Sequence, residues 1–147
     1  MDEQEFKERT IRLGLNVIAL SRSVTRDIAS DVLVRQVIRS ATSVGSNYHA
    51  ACRARSDSEM LAKLAIVEEE ADETMFWLQM LMRAGAVPDS KAKPLEAEAD
   101  EILRITVASI RTIRARIKRG DGRTQVPSRQ STVAPRPIRN PEIRDPK

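Results

Sequence analysis

Residues 34–56 read VRQVIRSATSVGSNYHAACRARS, and this stretch decides the fold. Val34, Val37, Ile38, Ala41, Val44, Tyr48, Ala51 and Cys52 recur every three or four positions, the spacing of an amphipathic helix. Arg35, Arg39, Thr42, Ser46, His49 and Arg53 repeat with the same period on a second face. Gln36, Ser40, Ser43, Asn47, Ala50 and Ala54 form a third, and all but Gln36 have short side chains that let another helix approach closely. A helix with an apolar, a basic and a small-residue seam is built to meet several neighbours at once. The chain reads as all-α.

Working outward, the periodicity predicts helices over Glu3–Ser23, Ile28–Arg55 and Asp57–Ala84, and a fourth that starts between Asp89 and Pro94 and ends at Arg119. In the first helix Phe6, Leu13, Val17, Leu20 and Val24 form one apolar line, and Ile11, Leu15 and Ile18 form another. Two lines make a face wider than one partner helix covers. Asp27 or Ser30 is the expected N-cap of the second helix. Ser56 with Glu59 is a capping-box pair at the start of the third. Gly85 and Pro88 mark the end of the third helix, and Gly120-Asp121-Gly122 the end of the fourth, where Pro94 is expected in the first turn. Short connections favour an antiparallel, up-down-up-down four-helix bundle over residues 1–119. From residue 120 onward Pro and Arg dominate and apolar residues stand isolated, so 120–147 reads as a disordered basic tail.

Composition narrows the function classes. Aromatics are 3% of the chain, and aliphatic residues carry the core. No apolar run is long enough to span a membrane, and the acidic N-terminus MDEQEFKERT is unlike a signal peptide. A single cysteine, Cys52, cannot form an internal disulfide, so a cytoplasmic protein is expected. Residues 1–103 carry 13 Lys/Arg against 18 Asp/Glu, whereas residues 104–147 carry 12 against 3. That polarity is the expected footprint of a polyanion partner, although basic tails also serve solubility alone.

No motif supports catalysis. The acidic run Glu68-Glu69-Glu70-Ala71-Asp72-Glu73 suggests a metal site, but the Glu-x-x-His pairs of two-metal bundles are missing, and His49 stands elsewhere. His49 and Cys52 lie three apart without a third orienting group. Catalytic, cofactor and metal residues are therefore all unassigned, and no cofactor is expected. Trp77 and Tyr48 fall beside apolar stripes and are expected in the core or at a subunit interface. Arg111, Arg114, Arg116, Lys118 and Arg119, continuing to Arg123 and Arg129, form the best candidate contact surface. Arg111, Arg114 and Lys118 share a helix face, and without interleaved aromatics the cluster suits phosphate rather than base contact.

The segments FKERTIRLGLNVIAL, RQVIRSATSVGSNYHAACRARS and EEEADETMFWLQMLMRAG resemble the four-helix bundle protein family. That family includes proteins encoded in intervening sequences of 23S ribosomal RNA genes and the accessory variability determinants of diversity-generating retroelements. The resemblance rests on Arg39-Ser40-Ala41, Ser43-Val44, Asn47-Tyr48, Ala51, Arg53, Arg55-Ser56, Glu70-Ala71, Glu73-Thr74 and Trp77-Leu78. It implies a bundle assembled as a homopentameric ring, with a basic surface for RNA and, in retroelement members, a reverse transcriptase as partner. It also implies hydrogen bonds across helices or subunits at Ser43 and Asn47. The chain departs from its relatives at His49-Ala50, where Arg-Glu is common, and in its Arg/Pro tail.

The expectation is a non-enzymatic RNA-binding or adaptor protein with phosphate contacts from Arg35, Arg39, Arg53, Arg111, Arg114, Lys118 and Arg119. Ser43, Asn47, Tyr48 and Trp77 are the expected oligomer interface, and no membrane is involved. A protein–protein scaffold without nucleic acid is the alternative, and a carboxylate-metal enzyme a remote third.

Overall fold

The computed structural model describes residues 1–123, which fold as four helices and no strand. Helix α1 spans Glu3–Ser21, α2 Ile28–Cys52, α3 Asp57–Arg83 and α4 Asp89–Lys118. Neighbours pack in the order α1–α2–α3–α4, and the diagonal pairs stay apart. Asp57 meets Arg116 at one end of the α3–α4 pair and Gln79 meets Glu96 toward the other, so those helices are antiparallel. The expected 120–147 tail falls outside the described residues from position 124 on.

Caps set the boundaries. Asp2 closes a capping box with Glu5 on α1, Asp27 caps α2 through the Ser30 amide, and Ser56 caps α3 through the Glu59 amide. Gly85 (φ 69°) and Gly120 (φ 82°) stand in the left-handed conformation just past α3 and α4. At each, the following amide returns to a carbonyl five residues back, Ala86 to Leu81 and Asp121 to Arg116, which terminates the helix. Helices α1, α2 and α3 end one to three residues earlier than the periodicity suggests, because the chain must reverse within short connections. Pro94 lies in the second turn of α4, not the first, since the helix already begins at Asp89. The carbonyl its missing N–H leaves free belongs to exposed Ser90, which water can serve.

Phe6, Leu13, Val17 and Leu20 of α1 join Val37, Ala41 and Val44 of α2, Val67, Ala71, Leu78 and Leu81 of α3, and Ala99 and Ile102 of α4 in one core. Only the first apolar line of α1 is buried; Ile11 (43% exposed) and Leu15 (60%) of the second remain in solvent. Buried hydroxyls all find partners. Thr74 reaches Ser40 across the α2–α3 contact at 3.0 Å and the Glu70 carbonyl at 2.7 Å. Helices α1 and α4 meet least, leaving a groove of about 700 Å³ that Arg9 bridges to Glu98 and Glu101.

Candidate nucleic-acid interface

The outward seam of α2 carries the basic row anticipated for it. Arg35, Arg39, Thr42, Ser46, His49 and Arg53 are all exposed. They are not equally available. Arg39 pairs with Glu70 and Glu73 of α3, and Glu73 also accepts the Trp77 indole N–H at 2.9 Å. The Arg39 guanidinium and the Trp77 N–H together hold the Glu73 carboxyl below the usual carboxylate range. Arg39 therefore belongs to an α2–α3 tie, while Arg35 only touches the Asp31 carbonyl at 3.3 Å.

The remaining cations gather at one end of the bundle. The C-terminus of α2, the N-terminus of α3 and the C-terminus of α4 meet there. They are joined through Asp57, which is only 2% exposed. Its carboxylate accepts from Arg116 Nε at 3.2 Å and from the Arg123 amide at 2.8 Å, and its own amide donates to the Arg123 carbonyl at 3.2 Å. The Arg123 amide first, and then the Arg116 guanidinium, lower the Asp57 pKa. Residues 120–123 are thus pinned onto the bundle, four residues past the boundary expected at 119. The sequence places Arg116 among the solvent-facing phosphate contacts and Asp57 only in the capping stretch of α3, so the bond between them corrects that expectation. A signal existed: Arg116 continues the seven-residue series Leu95, Ile102, Ser109, whose first members face the core, so a cation there implies a partner on a neighbouring helix.

Arg53 and Arg55 just past α2, Arg111, Arg114, Lys118 and Arg119 in the last turns of α4, and Arg123 are all exposed. Arg55 lies 3.6 Å from Glu59 and Arg119 3.6 Å from Asp121, whereas Arg53, Arg111, Arg114 and Lys118 meet no carboxylate among the described residues. Arg111 and Lys118, seven residues apart, are separated by roughly 10 Å along the axis, with Arg114 between them on the same face.

The expected interface residues Ser43, Asn47, Tyr48 and Trp77 are half-buried and also make contacts within the subunit. Tyr48 packs edge-on against Phe6, with ring centroids 4.6 Å apart, and burial pushes its hydroxyl pKa up. Asn47 donates to the Ser43 carbonyl and hydroxyl, both at 3.0 Å, so these bonds run within α2 and not across helices. Burial raises the half-buried Cys52 thiol. The acidic run splits: Glu70 and Glu73 hold Arg39, while Glu68, Glu69 and Asp72 line a shallow hollow with Ala65 and Leu103. No group of three metal-ligating side chains converges among the described residues. No helix among them is long and apolar enough to cross a membrane.

The sequence profile of the 23S rRNA-intervening sequence protein family matches residues 2–108. A solved structure from Bacteroides thetaiotaomicron VPI-5482, described as a protein of unknown function from the S23 ribosomal protein family, superposes with a TM-score of 0.70. It is 25% identical, and the match covers 76% of this chain and 99% of that one. No curated protein matches this chain.

Proposed function

This chain belongs to the 23S rRNA-intervening sequence protein family, and from that premise we propose that it is a non-enzymatic, self-assembling RNA-binding adaptor of the cytoplasm. The observation that carries the reading is the row of exposed cations Arg111, Arg114 and Lys118 on one face of α4, which, like Arg53 at the end of α2, meet no carboxylate among the described residues. Cations without aromatic neighbours on the surface favour backbone phosphate over base edges. Arg39, held by Glu70 and Glu73, drops to a secondary contact. The segment after Arg123 adds Arg129, Arg136, Arg139 and Arg144 to the chain's positive charge.

A single end of this size binds weakly. Assembly into the homopentamer implied by the family resemblance repeats it and converts weak contacts into avidity. A reverse transcriptase is the protein partner the same resemblance adds.

The test is nucleic acid carried through purification at low salt. The expected result is an excess of 260-nm absorbance that RNase or about 1 M NaCl removes and DNase does not, as counterion competition requires. Protein free of nucleic acid at low salt, with no retention of an added structured RNA, overturns the reading.

A further inference from the structure

The second apolar line of α1 is only partly covered within the subunit: Ile11 and Leu15 are exposed and Ile18 is half-buried. Helices α1 and α2 approach so closely at Gly14 and Gly45 that an added methyl at Gly14 would lie 3.4 Å from Thr42 Cγ2. One at Gly45 would lie 3.4 Å from the Thr10 carbonyl oxygen. The result is a shallow apolar groove of about 190 Å³, with these glycines in its floor and Ile11, Leu15, Ile18, Thr42 and Ser46 along its sides. Elsewhere, Phe76 (51% exposed) and Met80 (38%) stand one turn apart on the outer face of α3. Phe76 is braced edge-on by Trp77, with ring centroids 4.9 Å apart. Val32 (48% exposed) extends this knob, because the Arg39–Glu73 pair sets it level with Met80 on the antiparallel neighbour.

The two surfaces differ in charge as well as shape. Glu69 and Asp72 continue the row of Phe76 and Met80, exposed and without an ion pair among the described residues. Arg35 and Arg53 continue the row of Thr42 and Ser46. Groove against groove or knob against knob would align like charges, whereas knob against groove aligns opposite ones. Because α1 and α3 are diagonal in the bundle, a copy cannot fill its own groove.

We propose that copies of this chain associate head to tail, with Phe76 and Met80 of one copy seated in the Gly14–Gly45 groove of the next. This rests on the self-assembly reading above and gives it a surface. Such a heterologous contact closes into a ring where the rotation allows. It also reassigns the interface from Ser43, Asn47 and Tyr48, which bond or stack within the subunit, to α1 and the outer face of α3.

The full chain, Leu15→Glu and Phe76→Glu are compared by sedimentation velocity, with circular dichroism as the check on folding. A charge pressed into an apolar contact weakens association by about a hundredfold or more. Each variant alone is expected to be monomeric. Leu15→Glu retains the knob and Phe76→Glu retains the groove, so an equimolar mixture is expected to form one-to-one dimers. Ser46→Glu and Met80→Glu are the second pair if either first variant misfolds. Variants that stay assembled, or folded monomers that do not pair on mixing, overturn the head-to-tail contact while leaving self-assembly standing. A wild-type chain that is monomeric throughout overturns both.

Discussion

The Ser40–Thr74 hydrogen bond offers the sharpest test of how α2 and α3 are locked. Both residues are 0% exposed, and their hydroxyls meet at 3.0 Å across the helix contact. Thr74→Val keeps the shape and leaves the Ser40 hydroxyl with only the Val37 carbonyl at 3.3 Å. One lost hydrogen bond plus a partly unsatisfied buried hydroxyl should cost about 1–2 kcal/mol. Ser40→Ala should cost less, about 0.5 kcal/mol, because Thr74 keeps the Glu70 carbonyl and alanine is the better helix former. Removing both hydroxyls leaves nothing unsatisfied. The double variant should therefore lie within about 0.5 kcal/mol of wild type, a coupling of roughly 1 kcal/mol. Urea unfolding resolves this, since about 1.5 kcal/mol moves the midpoint by roughly 0.5–1.5 M at ordinary m-values. Strictly additive costs would refute the claim that this hydrogen bond couples the two helices.

Two further perturbations probe other joints. Leu78→Ala on the fully buried face of α3 should destabilise by about 2–5 kcal/mol through lost contacts and a residual cavity, read as a lowered denaturant midpoint with unchanged slope. The Asp57 carboxylate has a lowered pKa in the fold, so its stabilising effect is present above the unfolded carboxylate range and fades as pH falls through the folded value. The Arg123 amide resonance should shift with that titration, and Asp57→Asn should abolish the shift and speed amide exchange at Arg123; an unaffected Arg123 amide would refute the clasp.

Much of this arrangement is legible in residues 34–56 alone. The apolar seam of α2 is buried or half-buried throughout, the basic seam is exposed at every position, and Ser40 in the small-residue seam reaches a neighbour. Local spacing fixes such faces because a helix repeats its geometry along its length. What spacing cannot settle is the choice among partners. It shows two apolar lines on α1 but not that Phe6–Leu20 goes inward and Ile11–Ile18 outward. It shows Arg39 on an exposed row but not that Glu70 and Glu73, across a turn and on another helix, take it up. The clasp joins Asp57 to Arg116, 59 positions away, and only the packed bundle brings them together. Ser43 and Asn47 have hydrogen-bonding side chains suited to a neighbour, yet at four residues' separation the nearer partner wins.

The central claim is that the basic end of the bundle grips RNA backbone, and fluorescence-anisotropy binding of a structured RNA across a salt series tests it most directly. The full chain is compared with Arg111→Gln/Arg114→Gln/Lys118→Gln. The control is Arg22→Gln/Arg26→Gln/Arg83→Gln, which removes the same charge from the opposite end. Each lost phosphate contact should flatten the log–log salt slope by about 0.7–0.9, so the first triple should flatten it by roughly 2–3 and the control should not. Equal losses from both triples, or no binding by the full chain at low salt, would contradict the account.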